Sequence, residues 1–439
     1  MSPAQAAFTP IRRTQAMLDV EVALAEALAE AAVIPASSVA PIRTAARAER
    51  YDLALLATEA VEAGNHLIPL VRHLTREVAG SDATAAGHVH WGATSQDVID
   101  TALVLQLRDA GADVLAALDA AADAAAALAE RHAATPIAGR TWLQQATPTT
   151  FGLKAAGWLD GLARAHRRLA VALDDARTLQ FGGATGTLAT LGAAGPAVTE
   201  ALARRLGLRV PELPWHTERS RLVDVACACG LACGTLGKVG GDLILLAQTE
   251  VAEVREAAVP GRGGSSSMPH KHNPVASVVA AAAALQAPGL VATMLAAMPQ
   301  AHERGAGGWQ AEWDTLPALV AVTGRSAAAI AAALATLEID AVRMRANLDL
   351  AGGVARAEGL VAALAPIIGR SQALTLVEAV CRRAVSGGEP LAATAAAAPE
   401  VRAHLDPAAI TAALAPENFA GSSRLFVDRV LARWPRQKG

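Results

Sequence analysis

Long stretches of unbroken helical periodicity constrain this chain more than any other feature. Over residues 97–132 apolar positions recur at helical spacing without interruption, and 148–179, 220–258 and 316–337 carry the same pattern. A further run begins at Asn273 and contains Pro288-Gly289, which predicts a bend. Helices of this length exceed the globular average, and alanine-rich antiparallel ones fit a bundle that continues across subunits. Alanine is the strongest helix former and lets helices approach closely, but it buries little area per residue. Hydrophobic residues make up 53% of the 439 residues and aromatics only 3%, so a core of this kind gains from partner subunits. The expected class is all-α, and no strand-like alternation of useful length is evident.

Shorter helices are expected over 14–32, stopping before Pro35, and over 43–50, 53–63 and 68–78. From Ala351 onward the patterns shorten again, divided by Gly387-Gly388 and Pro416. The expected division is an N-terminal helical domain (1–97), a central long-helix bundle (98–350, with a loop at 261–274) and a small helical C-terminal domain (351–439).

Charge and motif content exclude several functions. A formal net charge of −3 and a pI near 6.4 imply no polyanionic partner, and no basic tract or zinc-finger spacing points to nucleic acid. Met1-Ser2-Pro3-Ala4-Gln5 does not open a secretory signal. The apolar run 275–301 is broken by Gln286, Pro288 and Gly289 and reads as a buried helix, not a membrane span. Cys227, Cys229, Cys233 and Cys381 lack metal-site spacing and read as reduced core thiols of a cytoplasmic protein.

Three segments carry chemistry. In Gly263-Gly264-Ser265-Ser266-Ser267-Met268-Pro269-His270-Lys271-His272-Asn273-Pro274, glycines supply unusual backbone angles, while Lys271 and Asn273 suit a carboxylate. A serine on such a loop meets a carbon-bound proton once closure excludes water. Gly92-Ala93-Thr94-Ser95-Gln96-Asp97 offers hydroxyls and helix-start amides to an anion, though taken alone such a segment is more often just a helix cap. The third is Gly139-Arg140-Thr141-Trp142-Leu143-Gln144-Gln145-Ala146-Thr147-Pro148.

Together these segments resemble the fumarase/aspartase superfamily. Gly264 to Pro274 matches its GSSxMPxKxNP signature at every fixed position, and 139–148 resembles GRTHxQxAxP. The resemblance implies β-elimination or its reverse, with no metal or organic cofactor. It also implies a homotetramer whose active sites are shared between subunits. It assigns the carbon proton to Ser265, a carboxylate to Lys271 and Asn273, and further substrate contacts to Thr94, Ser95, Thr141, Gln144 and Arg304.

The departure from the family pattern is informative. Relatives that release an amine or water carry histidine where this chain has Trp142, and an indole N–H only donates. The leaving group should then need no proton, as a carboxylate does not at neutral pH. Trp142 becomes a shape residue. The missing histidine gives only the class of leaving group; by resemblance, the chain is similar to the bacterial branch that cycloisomerises a carboxylated muconate, a tricarboxylate diene of aromatic catabolism. Phe151 to Trp158, His302-Glu303-Arg304 and Trp309-Gln310-Ala311-Glu312-Trp313 also resemble that branch. Trp309 and Trp313 suit packing as well as substrate contact. Roles for His66, His88, His90, His270 and His272 stay open. So do a superfamily lyase releasing another anion (nitrosuccinate-type or adenylosuccinate-lyase-like) and a catalytically silent structural protein.

Overall fold

The computed structural model describes residues 3–258, 261, 263–264, 267–268 and 270–434. In chain order the main elements are α1 (Pro10–Glu30), α2 (Leu53–Ala63), α3 (Leu67–Ala79), α4 (Ser95–Arg131), β1 (Pro136–Thr141), β2 (Gln144–Thr150), α5 (Phe151–Ala176), α6 (Gly195–Leu206), α7 (Ser220–Leu246), β3 (Val254–Arg255), α8 (Val275–Ala297), α9 (Gly308–Ala335), β4 (Glu338–Ile339), α10 (Ala357–Ile368) and α11 (Arg370–Gly387). Single turns and shorter helices fill the intervals. The chain is all-α in class, as its periodicity predicts.

Two compact units emerge, each from three chain segments. The first comprises 1–118, 165–237 and 282–328. Its α2 starts where Asp52 accepts hydrogen bonds from Ala54 and Leu55 N–H, and ends at Gly64 with φ +76°. Helix α1 packs against α6, and Arg204 and Arg205 pair with Glu26 and Glu30 at the surface. Such exposed pairs are screened by solvent and add little, so buried Leu18, Leu24, Leu28 and Val198 carry this contact. Cys229 and Cys233 are free and buried, and burial pushes the Cys229 thiol up to about 12.

The second unit comprises 119–164, 238–281 and 329–439. Helices α10 and α11 pack around Leu360, Leu364, Val377 and Val380, closed by Leu391, Val401 and Ile410. Two small antiparallel sheets correct the expectation of no strands: β1 pairs with β2, and β3 with β4. The stretch predicted to be helical from Pro148 is strand up to Thr150. Pro148 is tolerated because a two-stranded hairpin has edges that need no N–H from it. Helix α7 stops at Leu246 rather than near 258: Glu253 N–H takes the Leu246 carbonyl, and Ala252 turns at φ +50°. Conversely α9 begins eight residues before its predicted start at Leu316, at Gly308.

Candidate active site

In the first unit, Thr94 and Ser95 stand half-buried at the start of α4. The arrangement there centres on Asp97. Its carboxylate accepts from Thr94 N–H (3.0 Å), Gly182 N–H (3.0 Å), Gly183 N–H (2.9 Å) and Gln180 Nε2 (3.3 Å), and His216 Nε2 lies 2.7 Å away. One residue beyond Gly183, the Ala184 carbonyl accepts from Arg304 Nη2 at 2.9 Å. The glycine-rich passage 181–195, which reads in sequence as an interruption between helices, is thus what connects the Thr94 turn to Arg304.

A second charge cluster, also buried, lies one turn along α4. Arg219, at 0% side-chain exposure, bonds Asp100 (2.6 and 3.1 Å) and Glu312 (2.5 and 3.1 Å). Asp100 also accepts from Trp309 Nε1 (2.9 Å) and Gln96 Nε2 (3.1 Å), and Glu312 from Gln300 Nε2 (2.9 Å). Burial raises the Glu312 pKa above the usual carboxylate value despite the opposing Arg219 charge. Burial alone would lower Arg219, but the two carboxylates reverse this and raise it. Trp309 is therefore a buried hydrogen-bonding residue. Trp313 packs edge-on to it (4.9 Å between centroids) and tilts over His66 (5.1 Å).

Burial, then Arg13, lowers the His66 pKa, so that ring is neutral at pH 7. His90 differs. Its Nδ1 lies 2.6 Å from Glu21 Oε1, and this carboxylate outweighs burial to raise the imidazole pKa. His88 Nδ1 meets Ser38 Oγ at 2.9 Å.

In the second unit, Thr141 pairs with Gln144, leaving Trp142 and Leu143 as a two-residue hairpin tip. Their φ angles are +53° and +63°, the left-handed region that a type I′ turn demands. The tip is bare: Trp142 is 95% and Leu143 80% exposed, with Thr141 and Gln144 exposed beside them. The base is bolted down. Arg140 bonds Glu253 through two nitrogens (2.7 and 2.9 Å), Asn347 Nδ2 reaches Glu253 Oε1 (2.8 Å), and Gln145 Nε2 reaches the Asn347 carbonyl (2.7 Å). Gly139 makes room for this: a Cβ there would lie 2.5 Å from the Thr147 carbonyl oxygen. Arg140, the motif's cation, is occupied internally.

The signature loop is pinned at both ends. Asn273 donates from its backbone N–H (2.8 Å) and Nδ2 (3.2 Å) to the Gly263 carbonyl. Glu256 accepts from Ala276 N–H (3.1 Å), Ser277 N–H (2.9 Å) and Ser277 Oγ (2.7 Å), capping α8. Lys271 is exposed, with its backbone N–H bonded to the Met268 carbonyl. His270, His272 and Asn273 line a cleft of about 760 Å³ together with Arg255, Glu256 and Glu338. Ser265 lies outside the described residues.

Of the residues singled out in sequence, Thr94, Ser95 and Arg304 thus belong to the first unit. Thr141, Trp142, Gln144, Lys271 and Asn273 belong to the second. Sequence reading missed His216, Arg219, Gln300 and Glu253. Only the acidic Asp97 and Asp100, spaced to point into the core from one helix, signalled that buried partners must exist.

A family model described as lyase matches residues 2–289, and one described as adenylosuccinate lyase C-terminus matches 353–430. The chain is 51% identical to a 3-carboxy-cis,cis-muconate cycloisomerase of Pseudomonas aeruginosa over 98% of its length and 94% of the relative's. A nitrosuccinate lyase of Streptomyces davaonensis is 43% identical, with 98% and 92% covered. The crystal structure of 3-carboxy-cis,cis-muconate lactonizing enzyme from Pseudomonas putida superposes with a TM-score of 0.94 at 46% identity, covering 98% of this chain and 96% of that one.

Proposed function

From the premise that this chain belongs to the lyase family of fumarase/aspartase-like enzymes, we infer that it interconverts 3-carboxy-cis,cis-muconate and 4-carboxymuconolactone. In the forward direction a substrate carboxylate closes onto the β-carbon of the conjugated double bond, and a proton is added at the α-carbon. The reverse removes that proton and expels the ring carboxylate. Electrons balance without an oxidant.

The observation that carries this reading is Trp142. It occupies the hairpin tip where amine- and water-releasing relatives place histidine, and its N–H only donates. A carboxylate leaves as a stable anion, so the missing acid costs the reaction nothing. Ser265 handles the carbon proton. Lys271 and Arg304 supply positive charge where the substrate's carboxylates bind and where charge grows in the transition state. Asn273, Thr94, Ser95, Thr141 and Gln144 complete the polar contacts. Trp142 shapes the site.

The active form is a homotetramer with sites shared between subunits. Family enzymes are oligomeric, and helix α8 supports this for the present chain. It is long and apolar enough to cross a membrane, as are α7 and α9, yet only 28% of its apolar window is buried within one chain. Leu285 is 85% exposed, with Val278 and Leu295 about half exposed on the same helix. A bundle of like helices from other copies satisfies this surface, and the free Cys227, Cys229, Cys233 and Cys381 support a reducing, cytoplasmic setting.

The test is an ultraviolet assay of the purified protein with 3-carboxy-cis,cis-muconate. Loss of diene absorbance, with the lactone identified by NMR, is expected. No turnover by folded oligomer would sink the assignment. The second reading is nitrosuccinate-type elimination, favoured by the 43% identical lyase and by the same lack of a leaving-group acid. Release of nitrite from nitrosuccinate without diene turnover would establish it.

A further inference from the structure

The segment between α8 and α9 carries Arg304, and Gln300 sets its course. Gln300 Nε2 donates to Glu312 Oε1 at 2.9 Å, and Glu312 is itself held by the fully buried Arg219. The turn then wraps around the Gln300 side chain. A Cβ at Gly305 would lie 2.5 Å from Gln300 Oε1, 2.8 Å from its Cδ and 3.0 Å from its Cβ. At Gly308 a Cβ would meet the Ala297 carbonyl oxygen at 2.9 Å and Gln300 Cγ at 3.4 Å. A side chain at 305 would therefore push the Gln300 amide out of its place, while at 308 it is the Ala297 carbonyl that leaves no room for one.

Arg304 immediately precedes the tightest contact. Its Nη2 bonds the Ala184 carbonyl at 2.9 Å, beside the Gly182 and Gly183 amides that Asp97 holds. The rest of its guanidinium has no partner among the described residues, which leaves it open to an anion. Gln300 Oε1 is buried without a hydrogen-bond partner among the described residues. An apolar side chain of equal size would avoid that cost, so the value of the amide lies in its Nε2 bond to Glu312.

We propose that Gln300 is a positioning residue: by latching the turn to Glu312, it sets where the Arg304 guanidinium meets a substrate carboxylate. This rests on the reading that Arg304 binds substrate. A cation displaced by even an ångström from its anion forfeits much of its effect, so the latch is felt in substrate recognition.

The experiment is steady-state kinetics on 3-carboxy-cis,cis-muconate with wild type, Gln300→Met, Gly305→Ala, Arg304→Ala and the Gln300→Met/Arg304→Ala double variant. Methionine keeps the volume of glutamine and removes only the amide. Both Gln300→Met and Gly305→Ala should raise KM about tenfold and leave kcat within about threefold. The double variant should be no worse than Arg304→Ala alone, because the latch acts through Arg304. Wild-type KM in Gln300→Met, or multiplicative losses in the double variant, would overturn the proposal. Loss of folding in both Gln300→Met and Gly305→Ala would overturn it too, reducing Gln300 to a core residue. An Arg304→Ala enzyme with unchanged kcat/KM removes Arg304 from the site by itself, and the proposal falls with that reading. Absence of wild-type turnover defeats the reaction assignment, and the proposal with it, before any variant is compared.

Discussion

Arg140 grips Glu253 through two parallel hydrogen bonds of 2.7 and 2.9 Å, and this pair holds the base of the hairpin whose tip is Trp142. Glu253 is wholly buried, while Arg140 keeps 23% of its side chain exposed. The pair joins 113 residues of sequence separation into one support.

Removing the cation strands a buried carboxylate, although Asn347 Nδ2 still reaches it. Arg140→Met should therefore lower unfolding stability by about 3 kcal/mol, the lower end for breaking a buried pair. Urea titration at fixed protein concentration measures this. A loss under about 1 kcal/mol would mean that Asn347 and water compensate.

Trp142 and Leu143 both hold left-handed backbone angles at a cost of about 1–2 kcal/mol each. Asn-Gly is the pair that such a tip prefers. Trp142→Asn/Leu143→Gly should raise the thermal midpoint and lower kcat/KM by about tenfold or more, strain at a working site having been traded for stability. Unchanged kinetics would place the tip outside the site. Trp142→His alone should bring no gain in cycloisomerisation, since no leaving-group acid is required.

Ser265→Ala should lose about a hundredfold or more in kcat while the oligomer survives, the scale of a proton-transfer group. Size-exclusion and turnover measurements on one preparation check both halves. Near-normal turnover would remove Ser265 from proton transfer.

The His90–Glu21 pair gives a pH dependence. His90 has its pKa raised above 6.5 in the folded protein, with burial opposing and Glu21 and Asp97 prevailing. Protonation is thus favoured by folding. The resulting stability is complete below about pH 6.5 and fades as pH rises through the folded-state value. The deficit of His90→Gln relative to wild type should accordingly be larger at about pH 6 than at about pH 9. A deficit independent of pH would show that His90 contributes only by packing.

Helix α2 matches its expected bounds at both ends because Asp52 and Gly64, its start and stop, are local. Helix α4 was legible for the same reason: uninterrupted periodicity needs nothing from elsewhere in the chain. The hairpin was not. Its turn residues are tryptophan and leucine, which announce no turn, and Pro148 argued for a helix start. What makes 136–150 a hairpin is distant: Glu253 and Asn347 clamp Arg140 and Gln145. The end of α7 escaped likewise, because Glu253 leaves the helical path to reach that clamp.

By itself the amino-acid sequence determined the helical class, the superfamily and the tryptophan at position 142 from which the leaving-group reading starts. Each is written in local periodicity or in short motifs whose chemistry travels with them. Tertiary structure alone decided which charges are buried together. His216 reaches Asp97 and Arg219 reaches Asp100 across 119 residues, and Arg304 reaches Ala184 across 120. A buried ion needs a partner at about 3 Å, and only the packed chain brings residues so far apart in sequence to that distance.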